Sequence, residues 1–182
     1  MAFYFISDII STMKLTEDRK KELEDIYQNF LHDEKILKMK EIPMHRGSNC
    51  YLHSFRVAKL SIKRALRHKE VDLLVILLGA ILHDYYLYDW RTDRDKLKHH
   101  MSNHPKQAVE NAIKDFNVSV EVQRVIKTHM WPGNIRDWPN SKEARIVSNA
   151  DKAVCIKEAS CSKSHKAKRY ETYYLEIDKL FD

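Results

Sequence analysis

The chain has 182 residues, 43% of them hydrophobic, which is enough for one core and too little for a second independent domain. Only 3 Gly and 4 Pro stand against 32% charged residues, which excludes a turn-rich sandwich or barrel and predicts an all-α, single-domain helical bundle. The formal charge of +6 would suit an anionic partner, but much of the surplus falls on Lys163, Lys166, Lys168 and Arg169 without any nucleic-acid motif, so nucleic-acid binding is not expected.

The first short amphipathic segment, MAFYFISDIISTMK, is apolar but has neither a basic n-region nor a small-residue cleavage site, so a secretory signal is not expected. Thr16 can cap a helix that has Glu17 and Asp18 in its first turn and Leu23, Ile26, Tyr27, Phe30 and Leu31 at helical spacing. Pro43, Gly47, Ser48 and Asn49 mark a break, and a helix from about Asn49 to Arg67 follows, with His53, Val57 and Leu60 on one face.

Asp72 is a good N-cap for a helix from Leu73 to about Leu87, apolar on all sides through Leu82 and therefore expected at the centre. This run is far short of the ~20 residues needed to cross a bilayer, so no membrane association is expected. A polar connector from Arg91 to Asn103 leads to His104-Pro105, where Pro suits a first helical turn before Ala108, Val109, Ala112, Ile113 and Phe116.

Ser119 caps a helix with the stripe Val122, Val125, Ile126, His129, which Trp131-Pro132-Gly133 ends. Ser141 begins a last helix carrying Ala144, Val147, Asp151, Val154 and Cys155 on one face. The domain is expected to span 1–182, with a core motif region over about 45–159 and additions over 1–40 and, as a helix, 160–182. Cys50, Cys155 and Cys161 are an odd number without CxxC spacing, so they read as free thiols in a reducing compartment, and a cytoplasmic location is expected.

Six polar residues occupy helix faces or ends that should point inward: His53, the pair His83-Asp84, His104, His129 and Asp151. A single His on an apolar stripe is more often a hydrogen-bonded core residue than a ligand. Together the six read differently. Asp151 lies among apolar neighbours and Asp84 ends the most apolar helix, so each would cost several kcal/mol if buried unpaired. No Lys or Arg obviously shares those faces, which leaves a metal held by imidazoles and carboxylates as the simplest compensation. Iron, manganese, zinc, cobalt or, with more water, magnesium all suit such donors.

The segments HSFRVA from His53, LLGAILHDYYLYDW, HP at His104, THMW at His129 and NADKA around Asp151 resemble the HD-domain superfamily of metal-dependent phosphohydrolases. The ordered H…HD…H…H…D series is similar to its two-metal branch, and to bacterial members with HDxxLYDWR and HMWP segments. The resemblance implies that His53, His83, Asp84 and Asp151 surround one metal, and that Asp84 bridges to a second held by His104 and His129. It also implies hydrolysis of a small phosphorylated, nucleotide-like substrate by a hydroxide shared between the ions.

Asp84, Lys152 and Arg56 are the residues expected in catalysis. Arg46, Arg56, Arg91 and Lys152 are the basic residues nearest the motifs, able to meet a phosphate or simply to form surface salt bridges. His45, His99 and His100 are loop candidates near substrate, with solvated side chains as the default. Tyr85, Tyr86, Tyr88, Trp131 and Trp138 could wall a base-stacking site, although aromatic residues near helix ends more often serve packing. The same six ligands also serve di-iron oxygenases within the superfamily, and a non-catalytic metal or nucleotide sensor is a third alternative. A homodimer is compatible with each.

Overall fold

The computed structural model describes residues 15–44, 48–92, 94–160 and 176–181, and for 94–97 the backbone alone. The expectations for the first amphipathic segment, for His45 and Arg46, for Cys161 and for the basic cluster at Lys163, Lys166, Lys168 and Arg169 lie outside the described residues.

Helix α1 (Glu17–His32) starts where Thr16 accepts a bond from the Arg19 amide, and it buries Leu23, Tyr27 and Leu31. A short α2 (Glu34–Leu37) and a 3₁₀ turn (Lys38–Glu41) follow, capped by Asp33. Helix α3 (Cys50–Ala65) begins at Asn49, whose side chain accepts from the Leu52 amide at 2.8 Å. Every residue from Cys50 to Ala58 is buried, so the first half of α3 is wrapped by its neighbours on all sides, while Lys63 in the second half is exposed.

Helix α4 (Leu73–Leu82) is the hub, packing against α1, α3, α6 (Val120–Thr128) and α7 (Lys142–Ser160). Ile76, Leu77, Ile81 and Leu82 are fully buried, and each contributes about 1.5–3 kcal/mol relative to an exposed side chain. Gly79 permits the close crossing of α4 and α6, since a Cβ there would come within 2.5 Å of Val125 Cγ1. No strand occurs among the described residues beyond the isolated bridge Pro43–Asn49, so the fold is all-α.

Two expectations about helix ends are corrected. Helix α4 stops at Leu82 rather than near Leu87, because His83 turns its Nδ1 onto the Ala80 carbonyl at 2.8 Å and takes the acceptor that the next helical amide would use. By Leu87 the backbone has φ 53° and is no longer helical. Helix α5 (Arg94–Phe116) starts ten residues before His104, so there is no long polar connector and Pro105 lies inside the helix. Pro105 cannot donate to the Met101 carbonyl, yet the helix continues because its flanks are anchored: His100 stacks on Trp90, and Ala108 and Ala112 are buried.

Candidate metal centre

Each inward residue owes its direction to a local device. His83 and His129 are the C-cap residues of α4 and α6, and each points Nδ1 at the carbonyl three residues earlier, at 2.8 Å to Ala80 and 2.7 Å to Ile126. His104, one turn after His100 on α5, points Nδ1 at the His100 carbonyl at 2.8 Å. On α3, His53 Nδ1 meets the Glu158 carboxylate at 3.0 Å. A carbonyl can only accept, so these three Nδ1 atoms carry the proton and the Nε2 atoms are left as donors of electron pairs.

The four Nε2 atoms converge on two carboxylates. Asp84 Oδ2 lies 3.2 Å from His83 Nε2 and 3.9 Å from His53 Nε2, while Oδ1 lies 3.4 Å from His104 Nε2 and 3.6 Å from His129 Nε2. Asp151 Oδ1 lies 3.1 Å from His53 Nε2 and 3.8 Å from His83 Nε2. All six side chains are buried, and the groups His53/His83/Asp84 and Asp84/His104/His129 each have spacing that one ion can span. The structure therefore brings together all six residues singled out in the sequence, with one Asp84 oxygen facing each half.

Burial opposes the charged form of Asp84, yet His83 beside it prevails and holds the carboxyl well below the usual carboxylate range. Asp151 is likewise lowered, as His53, His83 and Lys152 outweigh burial. Burial, helped by the neighbouring imidazoles, pushes His129 down to about 3, and burial lowers His104 too. His53 and His83 move up: burial would lower both, but Asp151, Cys155 and Glu158 around the first, and Asp84 beside the second, prevail.

Three observations test whether these residues fit a divalent cation. His83 Nε2 is buried with no hydrogen-bond partner among the described residues. His104 Nε2 and His129 Nε2 face each other at 2.9 Å, although both rings already spend their proton on a carbonyl. Among the described residues, the ion-pair partners of Asp84 are imidazoles alone. Each is an unmet demand for positive charge at the same point, and a nitrogen and oxygen donor set of this kind suits a borderline or hard divalent ion.

The basic candidates part ways. Lys152 Nζ bonds Asp151 Oδ2 at 2.9 Å and also the His129 carbonyl, which places an ammonium at the rim of the cluster. Arg56 does not face the cluster: it is buried behind His53, bonded to Glu158 and to Glu176 at 2.9–3.2 Å, which corrects its expected place at a phosphate. The expectation that no basic side chain reaches these faces is corrected by Lys152, which bonds Asp151. Arg91 is exposed and paired with Asp89 at 2.8 Å. His99 is exposed, whereas His100 is stacked on His104 at 4.6 Å and bonded to the Tyr88 hydroxyl at 3.1 Å.

The aromatic residues also separate. Tyr85 belongs to the core, its hydroxyl on Asp115. Tyr86 packs edge-on against His100 and His104, beside Tyr88, and with Leu87 and Tyr88 it lines a cleft of about 560 Å³ whose lining also includes Asn103, Lys106 and Gln107 of α5. Trp131 and Trp138 form a separate edge-to-face pair. Glu158 and Cys155 were not singled out as site residues, although Glu158 falls seven residues after Asp151 on the same face of α7; Cys155 Sγ lies 3.3 Å from Asp151 Oδ1.

An all-α domain whose central helix ends in His-Asp, with four histidines and two aspartates meeting at one buried point, defines a helical protein whose buried groups could hold a metal ion. Residues 50–153 match the HD domain family, and the chain belongs to that family. No curated protein and no solved structure matches it.

Proposed function

We propose that the protein is a metal-dependent phosphohydrolase acting on a small, nucleotide-like phosphorylated substrate, the activity general to the HD domain family. The observation that carries this reading is the division of Asp84, whose Oδ2 faces His53 and His83 while Oδ1 faces His104 and His129. His53, His83, Asp84 and Asp151 would hold one divalent ion and Asp84, His104 and His129 a second. When bound, such ions supply Lewis-acid polarisation of a phosphoryl oxygen and acidify water.

The chain's own residues supply the rest. Carbonyls behind three of the histidines and Glu158 behind the fourth fix the imidazole tautomers before any ion arrives. Lys152, partly exposed and tethered to Asp151 and the His129 carbonyl, provides a cation beside the cluster for the charge that grows on a phosphoryl group. The cleft along Tyr86 and Tyr88 offers an aromatic wall next to His104 for the body of the substrate. Arg56 is not given a substrate role.

Among the described residues no helix is long and apolar enough to cross a membrane. The proposal is tested by measuring phosphate release from nucleotides and dinucleoside polyphosphates with added manganese, iron, zinc, cobalt or magnesium, in air and without oxygen. Release that needs metal and is indifferent to oxygen supports it. Substrate loss that consumes oxygen points instead to the oxygenase chemistry that the same ligand set can serve, and tight binding without turnover points to a sensor.

A further inference from the structure

Glu158 is only 1% exposed, and its two oxygens have different duties. Oε2 meets His53 Nδ1 at 3.0 Å, while Oε1 accepts from Arg56 Nη1 at 3.0 Å and from Ser48 Oγ at 3.3 Å. Arg56, 7% exposed, directs Nε and Nη2 to the same oxygen of Glu176, at 3.2 and 2.9 Å. Glu176 lies in the described segment 176–181, which is fastened to α1. The Tyr27 hydroxyl and Gln28 amide donate to the carbonyls of Ile177 and Asp178, and the Leu180 and Phe181 amides donate to Glu24. Ile177 and Leu180 are buried in that contact.

Charge gives this chain of contacts a direction. Glu158, Arg56 and Glu176 together carry one net negative charge directly behind His53. A carboxylate on the far nitrogen of an imidazole ligand fixes the ring and raises its donor strength. Without the charge of Glu176, the guanidinium would turn more of its charge to Glu158, and the negative field on His53 would fall. The second pair of histidines has no such dependence, because His104 and His129 are backed by the carbonyls of His100 and Ile126.

We infer that Glu176, carried by the docked segment 176–181, is a positioning residue for one half of the metal centre: by holding two nitrogens of Arg56, it sets how strongly that guanidinium offsets the carboxylate that Glu158 turns to His53. This rests on the metal-binding reading above. It makes the affinity of the His53 half depend on a contact far along the chain, while the His104 half is indifferent to it.

The test is a cobalt(II) titration of the metal-free, full-length protein, followed by visible absorption with a competing chelator, for the parent, Glu158→Gln, Glu176→Gln and Glu176→Asp. Glu158→Gln should weaken one binding step about 10- to 100-fold. Glu176→Gln should weaken the same step about three- to tenfold, less because its carboxylate is 39% exposed and partly screened. The other step should stay at the parental value, and Glu176→Asp should recover most of the loss. Parental affinity in Glu176→Gln, or equal weakening of both steps together with a lower Tm, overturns the inference and makes the segment mere packing. If the parent binds no cobalt, the metal reading itself fails and takes this inference with it, whereas a cobalt-binding parent with an unaffected Glu176→Gln leaves the metal reading standing.

Discussion

His104 and His129 face each other Nε2 to Nε2 across 2.9 Å, while each ring gives its only neutral-form proton to a backbone carbonyl. Two electron pairs directed at one point in a buried site are repulsive until a cation lies between them. Adding zinc or manganese to the metal-free protein should therefore raise its Tm. At free metal a hundred times Kd the gain is about 2.7 kcal/mol, or roughly 5–10 °C for a chain of this size. His129→Ala should lose at least half of that rise in the same melt, and an unchanged rise would place the cation elsewhere.

Gly79 ties helix packing to the site. Helix α4 ends at His83-Asp84 and α6 ends at His129, and the two cross where a Cβ on Gly79 would meet Val125. Gly79→Ala should cost about 1–3 kcal/mol in denaturant unfolding through overpacking. Because the helices must part, metal affinity should fall with it. A variant as stable as the parent would show that the crossing adapts without strain.

Much of this arrangement was legible in the sequence, because polar residues interrupting apolar stripes carry a large desolvation cost wherever they are buried. His53 on α3, His129 on the Val122–Val125–Ile126 stripe and Asp151 on α7 are of this kind. The ends of α4 and α5 were not. The α4 stop depends on a side-chain to carbonyl bond that periodicity does not register, and Pro105, which reads as a helix start, is carried inside a helix held by His100, Ala108 and Ala112.

Arg56 was misread for a related reason. Three residues after His53 on an enclosed helix, it needs an acidic partner before it can serve any phosphate, and that partner is Glu158, an acid on the Asp151 stripe. The spacing of seven from Asp151 was the available signal. Glu176 had none, since its place is set by docking on α1 across some 150 residues of chain.

His100 carries a pH dependence. Burial, then the neighbouring His104, pushes its imidazole down to about 4, so the folded protein holds fewer protons there than the unfolded chain between about pH 4 and 6.5. The stabilising contribution of His100 is complete above 6.5 and is lost as the pH falls through 4. In melts of metal-free protein, the Tm advantage of the parent over His100→Gln should shrink steadily across that window. An advantage that grows toward acid would mean the ring is charged in the fold.

Under the proposed activity, a change at Lys152 should separate catalysis from metal binding. Its Nζ holds Asp151 Oδ2 and the His129 carbonyl, leaving Asp151 Oδ1 and His129 Nε2 directed into the cluster. Lys152→Met should keep its metal, measured as ions per chain, and lose about a hundred- to a thousandfold in kcat. Full activity would confine Lys152 to a structural tether.

Whether Asp84 joins two halves of a metal centre is read directly from the metal content, by mass spectrometry, of protein purified without added metal, for the parent and Asp84→Ala, alongside phosphate release. One or two divalent ions per parental chain are expected, with both metal and turnover lost in the variant. An Asp84→Ala protein that keeps its ions and releases phosphate at the parental rate would contradict that role of Asp84.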